Sequence, residues 1–300
     1  MRAVRVLLLG VLLAACTSPG GETRRTTSPS PSPSSSLSSQ FVVQNVVEVV
    51  RVLAGTIGPR ETTSPTFRRA GAYVERLFRA LGYGVTRQAF TVPAGLANLV
   101  AVPDGATFNV VAEPPGFDPL RPHLIVGAHL DTVPQAPGAV DNATGVGIVI
   151  ELARLAALQP PSTSILFVAF GGEEARVPRG GLHGSKFFSA SLDARERAAV
   201  NGVIVIDRVG TGSRVPICTV TDAPDTLART LLNEAREIGV PAFACDNESS
   251  DHVSFVRVGI TAVRIGPDDY PQYHTTRDVP SVLVPAQAAR VGTLLWEALR

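Results

Sequence analysis

The chain has 300 residues, 45% of them hydrophobic, which is enough for one sizeable buried core. Its 27 Lys+Arg against 26 Asp+Glu give a net charge of +1, which removes the electrostatic case for a nucleic-acid partner. Three cysteines exclude both a disulfide scaffold and a thiolate metal cluster, and a mean hydropathy of +0.20 does not describe a polytopic membrane protein.

The first 15 residues open with Arg2 and Arg5 and run through the apolar stretch from Val6 to Leu13. That stretch is too short to span a bilayer as a mature helix and reads as an export signal. Leu13-Ala14-Ala15-Cys16 resembles a bacterial lipobox, so residues 1–16 are expected to be a lipoprotein-type signal, with Cys16 acylated. Full secretion is the alternative. Residues 17–40 are dominated by Ser, Thr and Pro around Ser28-Pro29-Ser30-Pro31-Ser32-Pro33 and are expected to form a disordered tether. Such a tether would hold residues 41–300, the expected folded domain, off the outer face of a bacterial cell membrane, with the lipid as the only membrane contact.

Residues 41–54 are apolar at helical spacing, and a turn-rich break follows to Pro65. Residues 66–81 predict a helix with Ala70, Tyr73, Val74, Leu77 and Leu81 on one face, stopped by Gly82. Short β-like runs follow at 85–92, 96–102 and 107–112. The near-copies Asn98-Leu99-Val100-Ala101 and Asn109-Val110-Val111-Ala112 flank the turn Pro103-Asp104-Gly105 and are expected to pair as a hairpin. Strands are then predicted at 123–128, 164–170, 203–207, 215–220 and 262–265. Helices are predicted at 145–158, 185–199, 224–238 and 286–299. Buried strands alternating with helices give an α/β fold: a three-layer sandwich whose mixed, centrally parallel sheet is flanked by helices, with antiparallel strands at one edge.

Polar groups stand where several of the apolar runs stop. His129 and Asp131 lie two apart at a strand end, so an extended backbone points them to one side. They suit a metal ligand with its orienting carboxylate, or a plain His–Asp hydrogen bond. Asp141 directly precedes a helix, as an N-cap does, yet its two oxygens also suit it to bridge two cations. The adjacent acids Glu173 and Glu174 follow a strand and two glycines. They repel each other in a solvated loop, whereas beside a metal one ligates while the other handles a proton. Asp207 ends a buried strand, where a charge is costly without a partner. A salt bridge to Arg208 is not expected, because strand neighbours face opposite ways. His274 follows Tyr273 much later, and an isolated His of this kind is commonly a surface residue. Taken together at the carboxyl edge of an open sheet, two His, two Asp and two Glu form an oxygen and nitrogen donor set suited to two zinc ions.

These segments, Gly127-Ala128-His129-Leu130-Asp131, Ala139-Val140-Asp141-Asn142-Ala143-Thr144-Gly145, Phe170-Gly171-Gly172-Glu173-Glu174, Ile206-Asp207, Ser250-Asp251-His252 and Tyr273-His274-Thr275, resemble metallopeptidase family twenty-eight, the secreted bacterial double-zinc aminopeptidases. The resemblance runs from about Phe41 to the C-terminus and implies that residues 41–300 are a zinc-peptidase domain acting on peptides. It implies one zinc on His129, Asp141 and Asp207 and another on Asp141, Glu174 and His274, with Asp141 bridging. It further implies Glu173 as general base on a water between the metals, Asp131 in support of His129, and Tyr273 as donor to the oxyanion. Asp251 and His252 are read as loop braces, and His123 and His183 receive no ligand role.

A glutaminyl-cyclase-like aminoacyltransferase and a non-catalytic binding module on the same fold are the alternatives. The module predicts missing ligands, and the complete two-metal set favours hydrolysis over cyclisation, because a bridging hydroxide needs both cations. Two departures from the family pattern bear on substrate preference. Arg208 follows Asp207 where the family usually has a hydrophobic residue, and Ser249 stands where some relatives carry Arg before Ser-Asp-His. Arg208 is therefore a candidate for holding a substrate carboxylate. Cys218 and Cys245 flank one predicted helix and are read either as a bridge, plausible after export, or as two buried thiols.

Overall fold

The computed structural model describes residues 40–221, 224–267 and 269–300. The expected signal, Cys16 and all but the last residue of the tether lie outside the described residues. In chain order the described elements are α1 (Val43–Val50), a wider π-helical continuation (Arg51–Ile57), α2 (Pro65–Ala80), β1 (Gly84–Val92), β2 (Gly95–Ala97), β3 (Val100–Val102), β4 (Gly105–Glu113), β5 (His123–His129) and α3 (Thr144–Leu158). They continue with β6 (Ser164–Phe170), α4 (His183–Ser191), α5 (Ala194–Ala199), β7 (Val200–Ile206), β8 (Val215–Thr219), α6 (Thr226–Glu237), β9 (Ala242–Asp246), α7 (His252–Val256), β10 (Ala262–Ile265) and α8 (Pro285–Leu299).

Eight strands form one sheet in the order β1-β4-β6-β5-β7-β10-β8-β9. The centre, β6-β5-β7-β10, is parallel, while β1 and β4 add an antiparallel edge and β8 runs against β10. Side-chain alternation along β6 separates the two cores. Ile165, Phe167 and Ala169 pack with α1, α2, α3 and α8, whereas Leu166, Val168 and Phe170 pack with Phe188 of α4 and Phe255 of α7. Helices cover both faces, so the central strands can be apolar throughout. The fold class is the one expected.

Local chemistry accounts for the boundaries. Ser64 caps α2 by accepting from the Phe67 amide at 3.0 Å, Pro65 starts the helix, and Gly82 leaves it at φ 89°. The buried face of α2 is centred on Phe67, Ala70, Val74 and Phe78, so it is rotated from the predicted one; Tyr73, Leu77 and Leu81 only flank the core.

Two further expectations are corrected. The segment 96–102 does not pair with 107–112: β4 pairs with β1 over its full length, and β2 and β3 form their own hairpin between them, closed by Asn98 and Leu99. Both turn residues have positive φ, 44° and 68°, which suits a two-residue hairpin turn and shortens the connection. The single helix expected at 185–199 is two, because Asp193 and Glu196 make a reciprocal capping box that starts α5 afresh. Edge strand β9 and the five-residue α7 were not anticipated; β9 is only partly buried and lacks a clean apolar run. Cys218 and Cys245 stand opposite each other on β8 and β9, with Cα atoms 4.3 Å apart, and are joined by a disulfide.

Candidate metal centre

Five chain segments bring the predicted donors to the carboxyl edge of the parallel strands. His129 ends β5, Asp207 follows β7, and Asp141 precedes α3 in a loop whose Asp141–Asn142 peptide is cis. Asp141 does not cap α3; the first turn is met instead by Asn142, whose Oδ1 accepts from the Gly145 amide at 3.2 Å. After β6 the chain turns through Gly171 and Gly172. A Cβ on Gly171 would meet the Phe108 carbonyl, and Gly172 has φ 67°, so the turn that presents Glu173 and Glu174 needs both glycines. His274 comes from the loop between β10 and α8.

The donor atoms converge. His129 Nε2 lies 3.0 Å from Asp141 Oδ1 and 3.2 Å from Asp207 Oδ1. His274 Nε2 lies 3.3 Å from Asp141 Oδ2 and 2.9 Å from Glu174 Oε2. Two triads result, His129–Asp141–Asp207 and Asp141–Glu174–His274, sharing Asp141 through its two oxygens. A third grouping, His129–Glu173–Glu174, brings Glu173 within 4.8 Å of both neighbours' donor atoms. Among the described residues no hydrogen bond engages the Glu173 carboxylate, whereas its backbone N–H is held.

Asp131 supports His129 differently from expectation. Its backbone carbonyl lies 3.1 Å from His129 Nδ1, while the carboxylate accepts from the backbone N–H groups of Glu173 at 3.1 Å and Glu174 at 3.2 Å. One residue thus sets the tautomer of the imidazole and the pose of both glutamates.

Arg208 also departs from expectation. Its Nε lies 3.5 Å from Asp207 Oδ2, because β7 ends at Ile206 and Arg208 sits at φ 56°, so strand alternation no longer separates the two side chains. The guanidinium covers the Tyr273 ring at 4.9 Å and reaches Ser249 Oγ at 3.0 Å. The Tyr273 ring in turn stacks on His274, with centroids 3.8 Å apart.

Three residues at the site had no assigned role in the sequence reading. Arg264, fully buried in β10, places Nε 3.1 Å from Asp207 Oδ2. Asp278 accepts from the backbone N–H groups of Val140 at 2.9 Å and Asp141 at 3.1 Å, and from the Tyr270 hydroxyl at 2.6 Å. Arg60 donates to the carbonyls of Leu130, Pro137 and Gly138, tying the His129 strand end to the Asp141 loop. A charge inside the apolar run from Ala262 to Ile265 was the available signal for Arg264. Nothing local marked Asp278.

The electrostatics follow from burial and crowding. Burial, reinforced by the charges of Glu174 and Asp251, pushes the Glu173 carboxyl well above the carboxylate range, although His129 opposes this. Burial and the charge of Asp141 push Glu174 up as well. Burial also acts against ionised Asp141 and Asp207, but His129 and His274 hold Asp141 down, and Arg264, Arg208 and His129 hold Asp207 well below the usual range. Burial raises the Asp251 carboxyl to about 7 and the Tyr273 hydroxyl above its ordinary value.

This donor set fits zinc. It offers two imidazoles and several carboxylates with no thiolate, grouped as two triads around a shared acid. His274 Nε2 is buried without a hydrogen-bond partner although two carboxylate oxygens lie within 3.3 Å, the arrangement expected of atoms that face a common cation. Buried carboxylates this close to one another require positive charge, and the guanidinium groups of Arg208 and Arg264 both lie against Asp207.

Comparison with known proteins bears on the same segments. The profile of Peptidase family M28 matches residues 109–299, which include all five expected ligands and Glu173. Leupeptin-inactivating enzyme 1 of Streptomyces exfoliatus is 30% identical over 265 residues, 86% of this chain. The chain spans about half, 54%, of that relative's length. Among solved structures, BSAP, a zinc aminopeptidase from Bacillus subtilis, superposes with a TM-score of 0.80 at 18% identity, covering 87% of this chain and 95% of that one. A glutaminyl cyclase of Bacteroides thetaiotaomicron superposes with a TM-score of 0.73 at 21% identity, covering 87% and 98%. At these identities the superpositions speak for the fold.

Proposed function

The chain belongs to peptidase family M28, and from that premise we propose that it is a two-zinc exopeptidase that removes N-terminal residues from peptides. The observation that carries this reading is the pair of triads sharing Asp141, with the unengaged carboxylate of Glu173 beside them. His129, Asp141 and Asp207 would hold one zinc, and Asp141, Glu174 and His274 the other. Bound there, zinc supplies Lewis acidity, polarising the scissile carbonyl and lowering the pKa of the attacking water.

The chain's own groups do the rest. Glu173 takes the proton of the attacking water and returns it to the leaving amine, for which a carboxylate beside the triads, engaged by no hydrogen bond among the described residues, is suited. Asp131 keeps Glu173 and Glu174 turned to different tasks by holding both of their amides. Tyr273, fixed between the His274 ring and the Arg208 guanidinium, donates its hydroxyl to the oxygen that gains charge. Arg208 was a candidate for a substrate carboxylate; with Asp207 already against it, we assign it to positioning Asp207 and Tyr273 instead. Hydrolysis is preferred over cyclisation of an N-terminal glutamine because both triads are complete. Acylation at Cys16 would anchor the domain outside the cell membrane.

The test measures metal content together with turnover of an aminoacyl chromophore and cyclisation of a glutaminyl peptide. Glu173→Gln should keep both metals and lose roughly 10²- to 10⁴-fold in kcat, whereas Glu174→Gln should lose metal and activity together. Near-normal turnover in fully loaded Glu173→Gln removes Glu173 as the base. Cyclisation in the absence of hydrolysis replaces the peptidase reading with the transferase.

A further inference from the structure

The β2–β3 hairpin is an insertion between two strands that pair over their full length without it, and it lies beside the metal centre. Asn98 Nδ2 donates to the His274 carbonyl at 3.0 Å, and Gln135 Nε2 donates to the Asn98 carbonyl at 3.1 Å. Leu96 pairs with Val177 through two backbone hydrogen bonds of 3.0 and 2.9 Å. Arg176 Nη1 clamps both ends of the insertion, reaching the carbonyls of Pro93 at 2.8 Å and Pro103 at 2.7 Å. The hairpin is therefore a fixed wall and not a loose flap.

Its residues make an unusual surface. Leu99 is 91% exposed, and Leu96, Val100 and Val177 beside it are also exposed, so large apolar side chains gather where solvent should favour polar ones. Leu99 is the second residue of the turn, at φ 68°, the position where glycine is preferred and a branched side chain is strained. Backbone preference and solvation both oppose leucine there, so neither explains it. A pocket of about 280 Å³ opens next to it, bounded by Leu96, Leu99, Val133 and Val177, with Asn98, Glu174 and His274 also in its lining. That volume has room for one side chain, and the space is continuous with the proposed zinc ligands.

We propose that this pocket is an apolar subsite for one substrate side chain next to the scissile bond, with Leu99 as its outer wall and a specificity-determining residue. The proposal rests on the peptidase reading above. A substrate whose scissile carbonyl lies at the metal centre has a flanking side chain within reach of these apolar residues, because they line one pocket together with Glu174 and His274. An apolar side chain gains contact there, and a charged one loses water without a partner.

Two peptide series test this, with Ala, Leu, Phe or Asp placed before the scissile bond in one and after it in the other. In one of the series the zinc-loaded chain should favour Leu over Ala in kcat/KM by about 10-fold or more, mainly through KM. Leu99→Gly and Leu99→Asn, which both suit the left-handed turn, should cut that preference at least about threefold, and Leu99→Met should keep it. Preferences that are unchanged in Leu99→Gly, or Leu and Ala peptides slowed alike, overturn the proposal while leaving the peptidase reading in place. If no peptide is cleaved, the peptidase reading fails first. Calorimetric binding of the same peptides then decides the subsite separately, with equal affinity for the wild-type chain and Leu99→Gly overturning it. Dimers in sedimentation that Leu99→Gly abolishes would assign the patch to a second copy and overturn it too.

Discussion

His252 is fully buried, and its Nε2–H donates to the Asn247 carbonyl at 2.9 Å, which fixes the loop entering α7. Burial pushes its pKa down from 6.5 to about 4, with the Arg264 guanidinium adding to the effect and the Asn247 carbonyl opposing it. Above pH 6.5 the imidazole is neutral in both folded and unfolded chains, so it contributes no pH dependence. As pH falls from 6.5 toward 4, the unfolded chain binds a proton that the folded chain refuses, and stability drops by about 1.4 kcal/mol per pH unit. The loss reaches about 2 kcal/mol at pH 5 and about 3 kcal/mol at pH 4, a large share of an ordinary folding free energy of roughly 5–15 kcal/mol.

The perturbation is His252→Gln, whose amide can still donate to Asn247 but does not titrate. Urea unfolding of both proteins in chelator, from pH 7.5 to pH 4.5, gives two stability curves. The variant should start below the wild type, since glutamine packs less well. The gap should then close by about 2 kcal/mol between pH 7.5 and pH 5. Other acids and histidines titrate in both proteins and cancel in the difference. Parallel curves would show that His252 is not the residue refusing the proton and that its burial is not what lowers its pKa.

Replacing Asp278 by Asn puts an amide where the carboxylate accepts from Val140, Asp141 and Tyr270, so at least one donor loses its partner. Zinc affinity read by competition with a chelator should fall about 10- to 100-fold, and an unchanged affinity would show that Asp278 does not hold the Asp141 loop. Removing the disulfide as Cys218→Ser with Cys245→Ser opens a loop of sequence separation 27 and should cost about 3–4 kcal/mol in denaturant unfolding. A loss under about 1 kcal/mol would show that restraint of the unfolded chain is not what this bridge contributes.

The parts of the fold and site that were legible in the sequence share one cause: each writes its requirement into adjacent residues. Strand β6 is a run of apolar residues because both of its faces are covered, and the two glycines after it announce the turn that carries Glu173 and Glu174. Donors at strand ends could be paired in advance because an open parallel sheet brings those ends together. The misread parts depend on partners distant in sequence. Asn98–Ala101 and Asn109–Ala112 looked like mates by their letters, yet register was decided by β1, a strand with exposed positions that pairs with β4 along all nine residues. Asp278 meets Asp141 across 137 residues, and no spacing rule encodes that contact. Arg208 shows the same limit within two residues. Strand alternation set it apart from Asp207, and a single left-handed residue after the strand brought them together. That contact bears on the role proposed for Arg208: a cation that was a candidate for a substrate carboxylate lies against Asp207 on one side and the Tyr273 ring on the other, which supports assigning it to positioning both.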